Sequence, residues 1–263
     1  MRLPLFCFFL ACAAIFFLAV DAATGVGPDA QVRVLLLSGQ NNHDWRQTTP
    51  KIKSLLETTG RFQVNVDERP DQLTSETLQP YDVIVSNWNS WGIGDDKLAS
   101  WPEATTKAYL DFVRGGGGHV VVHAGSSSFP DWDEYLELTL ATWKLGQTGH
   151  GPRHEFTVLI DAADHPITQG MVDFRIHGEL WHRAGIQNGA CVLASAFSAK
   201  EQKGSGQNEP VAMVNHFGQG RSFTLLLGHD VDEMDCPGFA AMLVRGTEWA
   251  ATGRVTESDS DSR

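Results

Sequence analysis

Three of the ten histidines in this sequence follow runs of β-branched and aliphatic residues that read as strands. His43 lies in the polar loop after Val32 to Leu37, His123 closes the run from His119, and His229 follows Arg221 to Leu227. In an open parallel sheet, ligands bind beyond the carboxyl ends of the strands, because the loops diverge there. Histidines delivered to that edge by three distant stretches are candidates for one site. A fourth contribution comes from His177-Gly178-Glu179-Leu180-Trp181-His182. If that segment is extended, alternation puts His177, Glu179 and Trp181 on one face.

Histidine with carboxylate supports two chemistries. Three imidazoles, His43, His123 and His229, can hold a divalent metal, zinc foremost, with a position left open for substrate. Alternatively His123 and His229, with Glu179, can act as acid and base near neutral pH without metal. Spacing leaves both open, since no short ligand motif such as H-E-x-x-H is present. His150, His154 and His165 rank lower: His165-Pro166 reads as a turn, and Gly149-His150-Gly151-Pro152 as a loop able to close over a pocket. The loops also carry aromatic and polar side chains that suit a sugar. Trp45, Trp88, Trp91, Trp132 and Trp181, in or near these loops, offer faces for stacking, while His43, Asn87 and Asp230 offer hydrogen bonds to hydroxyls.

Other chemistries fail on context. Gly115 to Gly118 lies between a helix and the following strand, whereas a phosphate-cradling loop follows a strand and opens a helix. Gly125-Ser126-Ser127-Ser128 does not spell a G-x-S-x-G elbow, and no cysteine stands at that turn. A formal charge of −12, from 20 Lys plus Arg against 32 Asp plus Glu, argues against nucleic acid as a partner. The expected partner is a small-molecule carbohydrate.

The elements that must position these residues follow from patterning. Val32 to Leu37, Phe62 to Val66, Asp82 to Ser86 and His119 to His123 read as strands. Helices are predicted from Thr49-Pro50 to Gly60, with Ile52, Leu55 and Leu56 inward, and from Pro102 to Arg114, with Ala108, Phe112 and Val113 inward. Strands separated by helices need crossovers, so the first half is predicted to be a doubly wound parallel α/β sheet with helices on both faces. The second half is strand-rich: His154 to Asp161, Cys191 to Ser198, Pro210 to Phe217 and Arg221 to Leu227. Gly218-Gln219-Gly220 joins the last two as an antiparallel hairpin, and a final helix runs from Pro237 to Ala251.

At the start, Met1-Arg2 leads into the apolar run Leu3 to Val20 and then the small residues from Asp21 to Gly25. This predicts a signal peptide over residues 1–23 and export to the periplasm or beyond; an uncleaved anchor helix is the alternative and the sole expected membrane attachment. A leader over 24–30, one domain over 31–254 and a polar tail over 255–263 complete the reading. Cys191 and Cys236 form a pair whose separation the sequence does not give.

Six segments together resemble the ThuA-like (trehalose utilisation) family. They are Ser38 to Trp45 with Thr48-Thr49-Pro50, Gly116 to Ala124, Gly151 to Phe156, His165 to Gly170, Gly218 to Arg221, and Gly228-His229-Asp230. The resemblance covers nearly the whole chain after the leader. It implies the flavodoxin-like fold of class I glutamine amidotransferases and an association with sugar metabolism, notably 3-keto disaccharides. His123 would then occupy the turn of the amidotransferase cysteine, so glutamine hydrolysis is not implied. Where relatives typically read Asp-Glu-Leu-Tyr, this chain reads Gly178-Glu179-Leu180-Trp181. The expected function is an exported enzyme moving a proton next to a carbonyl of a sugar or 3-keto-glycoside; the alternative is a noncatalytic carbohydrate-binding protein of the same fold.

Overall fold

The computed structural model describes residues 30–91 and 98–256. The stretch expected to be a signal peptide and nearly all of the expected leader, with Cys7 and Cys12, lie outside the described residues, as does the tail from residue 257. Among the described residues no helix is long and apolar enough to cross a membrane.

The first half alternates strand and helix. β1 (Val32–Leu37) leads into α1 (Trp45–Glu57), then β2 (Phe62–Asp67), the single-turn α2 (Ser75–Leu78), β3 (Val83–Ser86), α3 (Glu103–Arg114) and β4 (Gly118–Val122). α4 (Asp133–Thr139) follows, then the short β5 (Ala141–Thr142) and β6 (Gly149–His150). Next come β7 (His154–Ile160), β8 (Phe174–Gly178), and the two-residue β9 (Trp181–His182) and β10 (Gly185–Ile186). β11 (Cys191–Phe197), β12 (Asn208–Phe217), β13 (Gly220–Leu225), α5 (Val231–Met234) and α6 (Pro237–Thr252) complete the chain.

Nine strands form one sheet in the order β2-β1-β3-β4-β13-β12-β11-β7-β8. The pairings from β2 through β4 to β13 are parallel, and those from β13 to β8 are antiparallel. This is the expected flavodoxin-like α/β arrangement, with the β12–β13 hairpin as predicted. The buried runs of β1, β3 and β4 are apolar on both faces because a hydrophobic cluster lies on each. One face packs Ile52 and Leu56 of α1 and Phe239, Met242 and Leu243 of α6; the other packs Ala108, Tyr109 and Val113 of α3.

α1 differs from expectation at its start. It begins at Trp45 rather than at Thr49-Pro50, so Pro50 lies inside the helix. The loop after β1 is therefore short, which holds His43 close to the strand end. The segment from His177 to His182 also differs: β8 ends at Gly178, alternation breaks, and His177 points to solvent while Glu179, Leu180 and Trp181 are buried. Gly149 and His150 are not a free loop but pair antiparallel with β9. Cys191 and Cys236 are both free thiols.

β4 carries His119, fully buried, with Nε2 bonded to the Tyr109 hydroxyl at 2.8 Å. Burial pushes its pKa down to about 3. The folded protein keeps this imidazole neutral where the unfolded chain protonates it near pH 6.5, so stability is intact above that pH and falls as pH drops toward 3. Between pH 6.5 and pH 5 the loss is expected to be about 2 kcal/mol at 1.36 kcal/mol per pH unit. Urea unfolding at the two pH values checks this: His119→Gln should reduce the loss by about that amount, and an undiminished loss would show that other groups set it.

Candidate functional site

His43, His123 and His229 meet at the carboxyl edge of the parallel strands. Ring centroids are 4.8 Å apart for His43 and His123, 4.8 Å for His43 and His229, and 5.4 Å for His123 and His229. Glu179 completes the group, and one donor atom from each of the four residues lies within 4.8 Å of the others. His123 and Glu179 form the buried floor, while His43 and His229 are partly open to solvent.

Local structure explains each placement. His123 sits in the first turn after β4 with φ of 46°, a left-handed conformation that turns its side chain off the strand line toward the cluster. Ser126 Oγ bonds the His123 carbonyl at 3.0 Å and Tyr135 Oη bonds the Gly125 carbonyl at 2.9 Å, bracing that turn. Gly228, at φ of 98°, reverses the chain before His229 with Phe239 packed where a Cβ would project. Asparagines lace the loops together. Asn41 Nδ2 donates to the Asn87 carbonyl at 2.8 Å, and Asn89 Nδ2 reaches Asn42 Oδ1 at 3.1 Å and the Ala124 carbonyl at 2.5 Å.

The hydrogen bonds fix the tautomers. His123 Nδ1 donates to the Leu226 carbonyl at 2.7 Å. His43 Nδ1 faces Asn41 Oδ1 at 3.2 Å and Asn42 Oδ1 at 3.1 Å, and His229 Nδ1 faces Asp230 Oδ2 at 3.3 Å. With each Nδ1 occupied by an oxygen acceptor, the three Nε2 lone pairs are left for the cluster. Among the described residues, His123 Nε2 is buried with no hydrogen-bond partner. It stands 3.6 Å from Glu179 Oε1, and His229 Nε2 stands 3.5 Å from Glu179 Oε2. Two ligands on zinc bonds of ~2.1 Å at a tetrahedral angle are about 3.4 Å apart, so the two pairs with Glu179 stand at ligand spacing and the whole set, within 4.8 Å, has the chemistry of a three-histidine, one-carboxylate metal site.

Electrostatics point the same way. Burial pushes the His43 pKa down to about 3, helped by the neighbouring His123 and His229, and burial likewise lowers His229. Burial also works against the charged form of His123, but the Glu179 carboxylate beside it wins and holds its pKa above the ordinary value. Glu179 itself is held at about 2: burial opposes ionisation, and His123, His150 and His229 outweigh it. The group thus keeps one carboxylate and room for one positive charge, which a proton on His123 or a cation can supply.

Two residues that the sequence ranked low or passed over line this site. His150 Nδ1 lies 3.1 Å from Glu179 Oε2 and 2.8 Å from the Gly151 carbonyl, on the solvent side. Trp143 packs against Trp181 at 5.1 Å and against His150 at 5.9 Å. Trp181 in turn donates Nε1–H to Glu179 Oε1 at 2.9 Å and lies 5.1 Å from His123. Asp230 pairs with Arg153 at 2.6 Å and caps α5.

Two expected sugar contacts are corrected. Trp88 is buried against Trp101 and Phe129, at 5.1 and 5.3 Å, inside the apolar cluster under α3. Asn87 uses its amide on the hydroxyls of Thr48 and Thr49, both at 2.9 Å. Trp45 is half-buried under the Arg46 guanidinium at 4.2 Å. Trp91 donates its Nε1–H to the Ser127 carbonyl at 3.2 Å, and Trp132 stacks on Tyr135.

A family model named ThuA and described as trehalose utilisation matches residues 33–250. Among solved structures, the chain is similar to a thua-like protein of Parabacteroides merdae ATCC 43184, with 31% identity and a TM-score of 0.77 over 87% of this chain and 92% of that one. It also resembles a thua-like protein of Bacteroides uniformis ATCC 8492, with 17% identity and a TM-score of 0.65 over 83% and 91%. A cytoplasmic protein of Salmonella typhimurium LT2 shares the fold, with 13% identity and a TM-score of 0.60 over 84% and 100%. No curated protein matches.

Proposed function

The chain belongs to the ThuA family, and from that premise we propose that it is a metal-assisted enzyme acting on a sugar or keto-glycoside by proton transfer next to a carbonyl. The observation that carries the reading is the convergence of three imidazoles, each with an oxygen acceptor at its Nδ1, and one buried carboxylate, with a donor atom from each within 4.8 Å of the others. His43, His123, His229 and Glu179 would hold a divalent cation. Bound there, it would supply a Lewis acid for a substrate oxygen.

The remaining steps belong to the chain. His150, exposed above Glu179, takes or gives the proton on the solvent side of the site. Trp143, half-buried beside His150 and backed edge-on by the buried Trp181, offers an aromatic surface suited to the apolar face of a sugar ring. Arg153 and Asp230 hold the His229 imidazole in its tautomer. The four clustered donors include no cysteine or serine to act as a nucleophile, so acyl transfer has no support there. The apolar stretch at the start of the sequence supports export, which fractionation of cells making the full chain would test.

The functional test is incubation of metal-loaded and chelated protein with oxidised and unoxidised disaccharides, followed by product analysis. Conversion is expected in the loaded form, with its loss on chelation. Saturable sugar binding without product in either form would favour a noncatalytic carbohydrate-binding protein, a reading to which the missing carboxylate at Gly178 lends support.

A further inference from the structure

Glu233 is a fully buried carboxylate that reaches two of the proposed ligands, His229 and Glu179, through their backbone N–H groups. Its Oε1 accepts the Gly228 N–H at 3.0 Å, and its Oε2 accepts the N–H groups of His229 at 3.2 Å and Glu179 at 3.3 Å. Gly228 and His229 belong to the turn after β13, and Glu179 to the segment after β8. Those two strands are not neighbours: β12, β11 and β7 lie between them. The sheet ladder therefore does not set the spacing of His229 and Glu179 directly, and the Glu233 carboxylate ties them across the gap.

Position 178 shows how tightly this tie is built. A Cβ placed on Gly178 would collide with the Glu233 carboxylate itself. Glu233 is in turn oriented by its own N–H, which donates to Asp230 Oδ1 at 3.0 Å, while Asp230 Oδ2 faces His229 Nδ1. One short segment thus fixes the backbone of both ligands and the tautomer of one.

We propose that Glu233 is a positioning residue that holds the donors of His229 and Glu179 at the spacing a shared divalent cation needs, and that residue 178 is glycine because this carboxylate fills the space of its side chain. The proposal rests on the metal reading above. Its chemistry is specific to a carboxylate. Three N–H donors need acceptors on both oxygens, and a glutamine of the same size would turn an NH₂ donor toward one of them.

Cobalt(II) titration of metal-free protein, followed by its visible absorption, reads ligand geometry, and amide hydrogen exchange reads the tie itself. Glu233→Gln is expected to weaken cobalt binding by about tenfold to a hundredfold, to alter the absorption band, and to speed exchange at Gly228, His229 and Glu179 while leaving Val120 in β4 unchanged. Gly178→Asp should also weaken binding, by displacing Glu233. The double variant Gly178→Asp, Glu233→Ala should recover it, because the carboxylate then enters from β8 into the vacated space.

Unchanged cobalt affinity and unchanged exchange in Glu233→Gln would overturn the proposal, and a double variant no better than Gly178→Asp alone would overturn the account of Gly178. If the unaltered protein binds no cobalt, the metal reading fails by itself. Exchange at the three amides then decides the tie: faster in Glu233→Gln sustains it, and equal rates overturn it.

Discussion

Replacing His123 by alanine is expected to reduce turnover of the metal-loaded protein by about a hundredfold to ten-thousandfold, the range a positioned acid, base or ligand contributes. His123 is the buried member of the cluster, with Nδ1 committed to the Leu226 carbonyl and Nε2 without a partner. Its left-handed backbone is braced by Ser126 and Tyr135, so the imidazole is held in place before any ligand arrives. Removing it leaves the Leu226 carbonyl unpaired and costs about 1–3 kcal/mol of stability. Turnover must therefore be compared at a temperature where circular dichroism shows both proteins folded. Equal turnover in the folded variant would remove His123 from the mechanism.

A divalent cation at a thousand times its dissociation constant is expected to stabilise the fold by about 4 kcal/mol, because it binds the native state and finds no preformed set of ligands in the unfolded chain. For a chain of this size that corresponds to a rise in melting temperature of about 10 °C. Glu179→Ala should abolish most of the rise by removing the sole carboxylate among the four donors. The effect should fade in acid. His43 and His229 are held below the ordinary imidazole range, so they are neutral at pH 7, whereas His123 is held above it and is the last to release its proton. Cation and proton compete for His123, so apparent affinity rises with pH through the raised His123 value and drops about tenfold per unit below it. A melting temperature indifferent to metal at every pH would contradict this.

The parallel half of the fold was legible because strands covered on both faces must be apolar throughout, as Val34 to Leu37 and Val120 to Val122 are. The three histidines were legible for the same reason, since they stand where those runs stop. What lay between was harder to read. Asn87 and Trp88 follow β3 at the right edge, yet they face inward, because the loops there are laced to one another by side-chain amides and packed on an aromatic cluster. Glu179 was found by an alternation that actually breaks at Gly178, which is why His177 is exposed. His150 and Trp143 sit in or beside two-residue strands, too short to leave a periodic pattern. Glu233 had no signal at all: within Asp230-Val231-Asp232-Glu233 it reads as one more solvated acid, and only tertiary packing buries it.

The central claim is that His43, His123, His229 and Glu179 share one divalent cation. Isothermal titration of the metal-free protein with zinc at pH 7, in two buffers of different ionisation enthalpy, measures both stoichiometry and proton release. One ion per chain is predicted, with a proton released on binding and the signal lost in the His123→Ala variant. Absence of saturable binding, or binding of equal strength in that variant, would contradict it.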